Sequence, residues 1–154
     1  MNKVLVFGVV GSCILAGCAA QMAQSNLKEQ CAKEGRQLFL TDTSQTGIPV
    51  LIESASASGL CVGPDDVVHL PDSFRADVVR GSAIKGGVGV FSVPPGSTAD
   101  KAGIKASDII YEFGGRAVSR SIDLRSAIEA TPAGQQAIIK FRRSKREMVV
   151  TAQF

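Results

Sequence analysis

Few residues of this chain are of the types that carry out chemistry in proteins. Among its 154 residues there are four cysteines and a single histidine, His69. A hydrolytic triad needs a nucleophile, a base and an orienting acid, and no serine here stands in a Gly-x-Ser-x-Gly pattern. Neither a Walker loop nor a dinucleotide fingerprint occurs. We therefore predict that the chain is not an enzyme, binds no cofactor and has no small-molecule substrate.

The first two cysteines lie in and just after an apolar run. Lys3 precedes this run, which extends from Val4 to Leu15 and has the layout of a secretory signal. It is too short for a transmembrane helix, which needs roughly 20 apolar residues. The segment Leu15-Ala16-Gly17-Cys18 resembles the lipobox read by the lipoprotein signal peptidase. This resemblance implies cleavage after residue 17 and acylation of Cys18; an ordinary signal peptide is the alternative.

The lipobox resemblance also implies an address. Two or three acyl chains on Cys18 attach a protein stably to a membrane. Alanines follow at positions 19 and 20, where enteric lipoproteins kept in the inner membrane carry an aspartate, so an outer-membrane anchor facing the periplasm is favoured. The chain has 17 Lys and Arg against 14 Asp and Glu, and Lys3 leaves with the signal. A nearly neutral mature part argues against nucleic acid as a partner.

Cys31 and Cys61 remain after Cys13 has left with the signal and Cys18 has taken lipid. In an oxidising compartment an even pair favours a disulfide. Closing a loop of about 30 residues would contribute about 3–4 kcal/mol in the chain-entropy model. Two buried free thiols, or metal ligands, are the alternatives. A metal has little support, because no second histidine and no Cys-x-x-Cys pair accompany them.

The elements that position these cysteines form a small N-terminal unit over residues 26–63. Residues 18–25 are small and polar and predict a lipidated tether. Asn26 with Glu29 predicts a capped helix start, and Gly35 predicts its end. Strand-like runs follow at 36–40, 48–52 and 59–62. Residues 64–73, with three aspartates and two prolines, predict a linker or surface loop.

The second half of the chain, residues 74–154, predicts one compact and mostly β domain. Its strand-like runs are separated by glycine and proline turns. Two short helical segments interrupt them, the first capped by Ser97 and the second stopped by Pro132 and Gly134. The predicted strands are 76–80, 88–93, 108–113, 137–141 and 148–152, and the predicted helices are 98–102 and 122–130.

One stretch of this half carries a recognisable pattern. The run from Pro95 to Ile110, Pro-Gly-Ser-Thr-Ala-Asp-Lys-Ala-Gly-Ile-Lys-Ala-Ser-Asp-Ile-Ile, resembles the best-defined segment of bacterial PDZ domains. Gly114-Gly115-Arg116-Ala117-Val118 is similar to the turn that follows in that family, and Leu124 and Ile128 fall at the spacing of its second helix. The resemblance, which extends over residues 87–154, is to the circularly permuted class found in HtrA-type proteases. It implies a PDZ-like, partly open β-barrel.

This resemblance implies a function as well as a fold. PDZ domains bind an extended peptide, often a C-terminus, as an added strand beside the second helix. If residues 74–80 form the groove strand and 121–130 the helix wall, the expected peptide-binding residues are Phe74, Arg75, Ala76, Val78, Ser121, Leu124, Arg125 and Ile128. Leu124 and Ile128 can equally face the core. No clean copy of the family's carboxylate-binding loop is present; it falls near 70–74, where Asp72 would repel a carboxylate, or at 59–62.

Two hypotheses of different classes follow. The first is a non-catalytic, membrane-tethered periplasmic PDZ module that binds envelope proteins or peptides, including C-termini. The second is a structural or assembly subunit of an envelope or secretion complex that uses the PDZ fold as a docking surface without binding free peptides.

Overall fold

The computed structural model describes residues 11–13, 18–46, 53–80, 84 and 86–154. The chain divides into two compact units, one ending at Pro64 and the other beginning at Asp65. Among the described residues, no helix combines the length and the apolar character needed to cross a membrane.

The described residues of the N-terminal unit form one helix and three strands. Their bounds are Gly11–Cys13 (β1), Cys18–Lys33 (α1), Gln37–Thr46 (β2) and Glu53–Val62 (β3). β2 and β3 form an antiparallel hairpin, and β1 pairs with the far end of β3. The predicted strand at 48–52 lies outside the described residues. β2 continues to Thr46, beyond the end of the strand-like run predicted at 36–40.

Helix α1 is longer than the sequence signals indicated. It begins at Cys18, so that residues 18–25, predicted as a tether, form its first half, and Asn26 lies inside it. Alanine, glutamine and methionine fill this stretch and are good helix formers, so nothing confines the helix to the capping pattern at Asn26. Its end is as predicted: Gly35 adopts a φ of +67°, and the amide of Arg36 donates to the carbonyl of Cys31 at 2.9 Å, as in a Schellman motif.

A disulfide joins Cys31 of α1 to Cys61 of β3, which confirms the predicted pairing. Cys31 is completely buried, and Leu27, one turn earlier on the same face of the helix, is also buried. Phe39 and Val62 supply further buried apolar side chains in this unit. Because so small a unit has little core of its own, a covalent bond between helix and hairpin is an effective way to stabilise it.

The second unit is built on an antiparallel sheet. The strands follow the order β10-β9-β7-β6-β5-β4, with β8 paired to β7. Two short helices complete the unit, which confirms the predicted mostly β, PDZ-like fold. The bounds are Val67–His69 (β4), Asp77–Val79 (β5), Val88–Ser92 (β6), Thr98–Lys101 (α2), Ile109–Phe113 (β7), Arg116–Ala117 (β8), Ser121–Glu129 (α3), Gln136–Arg143 (β9) and Arg146–Gln153 (β10).

The core of the second unit lies between this sheet and its helices. Leu124 and Ile128 of α3 have no exposed surface and belong to this core. Phe74 makes an edge-to-face contact with Phe113 and a stacked contact with Phe154, both with ring centroids about 6 Å apart. Such aromatic pairs contribute more to stability than their buried area alone predicts, and here they pack Phe154 against the core.

Local signals in the PDZ-like stretch act as predicted. The Ser97 hydroxyl accepts a hydrogen bond from the amide of Asp100 at 3.1 Å and caps α2. Gly103 leaves the helix with a φ of +84°. A carboxylate oxygen of Asp108 accepts from the amide of Lys105 at 2.8 Å. These bonds are formed within a few residues, which is why the sequence alone indicated them.

Residues 65–73, within the segment predicted as a linker or surface loop, are part of the second unit. Pro64–Asp66 forms one 3-10 turn, and Val67–His69 forms β4, which pairs with β5. Leu70 is buried in the core. The aspartates and prolines of this segment lie in its turns, while Val67 and Val68 face Val79 and Val78 across the ladder, so its average composition concealed a short strand.

Candidate peptide-binding groove

The end of the sheet at β4 presents an open strand edge. In the described part of the second unit, β4 pairs with β5 on one side. The amide of Arg80 donates to the carbonyl of Asp66 at 2.7 Å, and the amide of Leu70 donates to the carbonyl of Ala76 at 2.9 Å. Because hydrogen-bonded and non-bonded residues alternate in an antiparallel pair, Val67 and His69 direct their own N–H and C=O groups away from β5.

A groove runs between this edge and the start of α3. It encloses a cavity of about 410 Å³, within the usual range for ligand pockets. The side chain of Ile122 is 55% exposed, which is unusual for an apolar residue this large and leaves it available to a ligand. The cavity is lined by Val67, Val68 and His69 of β4, Arg80 after β5, and Ser121, Ile122 and Arg125 of α3.

The structure brings only part of the predicted site set to this groove. Ser121 and Arg125 line it. Leu124 and Ile128 lie in the core, and so do Phe74, Ala76 and Val78, while Arg75 is exposed in the turn between β4 and β5 with a φ of +49°.

The strand predicted to accept a peptide therefore lies one strand inside the edge of the sheet. Residues 74–80 contain β5, which pairs with β4 on one side and β6 on the other. A strand with both edges paired has no backbone groups left for an added strand. The open edge belongs to β4, so the candidate groove strand moves from 74–80 to 67–69.

Five lining residues were not among the predicted ones: Val67, Val68, His69, Arg80 and Ile122. Only Ile122 carried a signal in the sequence. It does not share the helical face of Leu124 and Ile128, and an apolar residue on the opposite side of a short helix indicates a contact surface. β4 has three residues, too few for an alternating pattern to identify.

The charged residues of the groove lining are all basic, and each already has a partner. The Nε atom of Arg125 lies 2.9 Å from Oε1 of Glu129. The Nε of Arg80 donates to the carbonyl of Asp65 at 2.9 Å. Nδ1 of His69 lies 2.5 Å from Oδ1 of Asp77, whose other oxygen accepts from the hydroxyl of Ser92 at 2.6 Å.

A second charge pair holds the first turn of α3 beside the groove. Oδ2 of Asp123 accepts from the backbone amide of Arg120 at 3.1 Å, and Oδ1 accepts from the Arg120 guanidinium at 2.7 Å. The hydrogen bond from that guanidinium lowers the pKa of Asp123 below its usual 3.8 and raises the pKa of Arg120. The carboxylate also satisfies an amide that a helix N-terminus leaves without an internal partner.

No group of three or more His, Cys, Asp or Glu side chains suited to a metal ion is present in the described residues. The geometry of the groove instead fits an extended chain. Backbone groups are exposed on one side, an apolar and basic helix wall lies on the other, and the space between them is open.

The second unit is similar to domains of known proteins. The family model for the PDZ domain matches residues 72–153. The serine protease Do-like HtrA of Lactococcus lactis subsp. lactis (strain IL1403) is 49% identical over 63 residues, covering 41% of this chain and 15% of the relative. The periplasmic pH-dependent serine endoprotease DegQ of Escherichia coli (strain K12) is 31% identical over 88 residues, covering 57% and 18%.

Two solved structures are similar to this chain. The HtrA3 PDZ domain bound to a phage-derived ligand has 24% identity and a TM-score of 0.41, covering 46% of this chain and 64% of that one. The HtrA-type protease AlgW with a decapeptide has 13% identity and a TM-score of 0.46, covering 76% and 41%. The chain thus spans less than a fifth of the two curated relatives. Because the family model covers more than half of its residues, the chain belongs to the PDZ domain family, in the form found in HtrA-type proteases.

Proposed function

We propose that this chain is a non-catalytic, membrane-tethered module of the cell envelope that binds extended polypeptide segments by strand addition at β4. The observation that carries the proposal is the open edge of β4 opposite α3. Val67 and His69 direct backbone donors and acceptors into the groove that Ile122 and Arg125 close on the other side. Two relatives, DegQ and the DegP-like protease of Hahella chejuensis, are named as periplasmic, in keeping with an envelope location.

Strand addition divides recognition into two parts. Backbone hydrogen bonds to Val67 and His69 would supply affinity that does not depend on sequence, while alternate ligand side chains would enter the cavity and supply selectivity. Val68 and Ile122 offer apolar contact there. Burying apolar surface contributes roughly 25 cal/mol per Å², so a ligand with an apolar residue at this position gains affinity.

A pair of substitutions at His69 tests the strand-addition proposal. Proline at this position removes the N–H that points into the groove and leaves the ladder between β4 and β5 intact, because edge strands accept proline where the N–H faces outward. Val68, the preceding residue, is already in a strand, as proline requires. The matched control, His69→Ala, keeps the N–H but removes the imidazole.

The two variants are compared in binding a random peptide library displayed on phage. His69→Pro should lose most binding and His69→Ala should retain it, with both variants folded by circular dichroism. Equal binding by the two variants would show that the ligand does not pair with β4. If no library member binds the wild-type chain while pull-downs from envelope extracts recover a stable complex, the docking-subunit hypothesis replaces this one.

The tether is proposed from the lipobox-like Leu15-Ala16-Gly17-Cys18. Cleavage there would make Cys18, the first residue of α1, the N-terminus of the mature protein. It would also remove β1 and leave the β2–β3 hairpin and the disulfide. Metabolic labelling with an alkyne fatty acid should mark the wild type and Cys13→Ala, but not Cys18→Ala. Unchanged labelling of Cys18→Ala would contradict the proposed anchor.

The non-catalytic part of the proposal rests on the order of three side chains. Ser92 and His69 both contact the carboxylate of Asp77, so the acid stands between hydroxyl and imidazole. A hydrolytic triad requires the imidazole in the middle, where it removes the serine proton. Hydrolysis of fluorescently labelled casein should therefore not exceed the rate without protein, and turnover abolished by Ser92→Ala would contradict this.

A further inference from the structure

The groove combines an apolar floor with basic side chains from separate parts of the fold. His69 comes from β4, Arg80 from the end of β5, and Arg125 from α3. The remaining described lining residues are valine, isoleucine and serine, so no acidic side chain is among the described residues that line the cavity. Cations on opposite walls of a partly enclosed, low-dielectric space attract an anion more strongly than isolated surface cations do.

The partners that Arg80 and Arg125 already have leave both side chains available to a ligand. Arg125 and Glu129 are both about half exposed, at 47% and 51% of their side-chain surfaces, and such exposed pairs within a helix are weak and readily exchanged. Arg80 donates its Nε to a neutral carbonyl, that of Asp65. A guanidinium has five N–H donors in a fork suited to a carboxylate, and this bond occupies one of them.

The turn before β4 decides where a ligand carboxylate can lie. Every described strand pair in the second unit is antiparallel. A ligand that continues this pattern beside β4 would run from His69 toward Val67, and its C-terminal end would point toward this turn. The turn is Pro64-Asp65-Asp66. Proline offers no N–H, and the acidic side chain of Asp65 in this turn repels a terminal carboxylate. A side-chain carboxylate of the ligand that enters the cavity meets Arg80 and Arg125 instead.

We propose that the groove selects acidic polypeptide segments, with an aspartate or glutamate side chain of the ligand bound between Arg80 and Arg125. This inference rests on the proposed strand addition at β4 and specifies the chemistry of the partner. The ligand is either an internal segment or a chain end whose terminal carboxylate contributes little to the binding affinity. Apolar residues two positions before or after the acidic one fit against Val68 and Ile122.

The probes for this inference are synthetic nine-residue peptide libraries that differ only at a fixed central residue. The centre is glutamate or glutamine, the other positions are random, and each library is made with a free and an amidated C-terminus. The wild-type protein should capture about tenfold more of the glutamate library, as expected for a charge-assisted contact worth about 1.4 kcal/mol. Amidation should change capture by less than about twofold, equivalent to under 0.5 kcal/mol.

Variants then assign the preference to its residues. In the double variant Arg80→Gln/Arg125→Gln the glutamate and glutamine libraries should be captured equally. The matched control is Arg146→Gln, which removes an exposed arginine on β10, at the opposite end of the sheet, and should keep the tenfold preference. Circular dichroism verifies that all variants are folded.

Three results would overturn the inference, and each has a distinct meaning. Equal capture of both libraries by the wild type, with His69→Pro still abolishing capture, refutes acid selection but leaves strand addition standing. A tenfold loss on amidation shows that the terminal carboxylate is the recognised group. Absence of capture of every library by the wild type contradicts the proposed function itself, and acid selection with it.

Discussion

The buried ion pair between Asp108 and Arg143 gives the most quantitative prediction from this fold. The Asp108 side chain has no exposed surface. Its two oxygens accept from Nε and Nη2 of Arg143 at 2.7 and 2.8 Å. Nη2 also donates to the carbonyl of Gly103 at 2.7 Å, and the guanidinium lies 5.2 Å from the ring of Phe141. The hydrogen bond to Asp108 raises the pKa of Arg143, so the arginine remains charged.

The perturbation is Arg143→Met, which keeps most of the side chain's apolar length and removes the charge. The Asp108 carboxylate is then buried with a single remaining described donor, the amide of Lys105. Removing one partner of a buried pair costs about 3–5 kcal/mol. Because Arg143 is 30% exposed and water can replace part of its contacts, we expect the lower end, about 3 kcal/mol.

Urea denaturation at neutral pH measures this loss for the second unit. The exposed Arg146→Met is the control and should stay within about 0.5 kcal/mol of wild type. Asp108→Asn/Arg143→Met should be less destabilised than the sum of the single variants, because it no longer leaves a charge buried alone. A loss below about 1 kcal/mol for Arg143→Met, or strict additivity, would refute this reasoning.

Three further predictions follow from single contacts. Cys31→Ser should destabilise the oxidised N-terminal unit by about 3–4 kcal/mol, seen in its urea transition; equal midpoints for variant and wild type would contradict a stabilising disulfide. A Cβ on Gly87 would lie 2.6 Å from the carbonyl oxygen of Ile110, so Gly87→Ala should cost about 1–3 kcal/mol. A loss below about 0.5 kcal/mol would count against the described packing. The pKa of Asp123 is lowered by Arg120, so its contribution to stability is present at neutral pH and is lost as the pH falls through that lowered pKa. The melting difference between wild type and Asp123→Asn should therefore vanish in acid, and a constant difference would show that the charge is not responsible.

The parts of the fold that were predictable from sequence are those specified by near neighbours. Ser97, Gly103 and Asp108 act within the segment that contains them, and an ungapped pattern therefore identifies them. The Cys31–Cys61 pairing was predictable for a different reason: the resemblance to a lipoprotein signal set Cys13 and Cys18 apart, and one pairing remained for the other two cysteines.

The parts that were not predictable depend on distant residues. Arg143 is 35 positions from Asp108, and one arginine among several at the end of the chain has no local feature that marks it. β4 has three residues, and its role as a strand is specified by the edge of β5 that it covers rather than by its own composition.

The predicted groove strand, residues 74–80, differs from the candidate edge strand β4 for the same reason. A strong apolar pattern at residues 74–80 indicates a strand but does not tell an edge strand from an internal one. That distinction depends on whether a further strand pairs outside it, and β4 does. Leu124 and Ile128 fit either the core or a groove by spacing, and only the packed structure assigns them to the core.

The most direct test of strand addition at β4 is amide hydrogen exchange of the chain with and without a bound peptide. The alternation of hydrogen bonds along β4 predicts fast exchange at Val67 and His69 in the free protein and strong protection of both once a ligand is bound. Val68, whose amide faces β5, should be protected in both states. Saturating binding that leaves Val67 and His69 exchanging at their free rates would contradict the account.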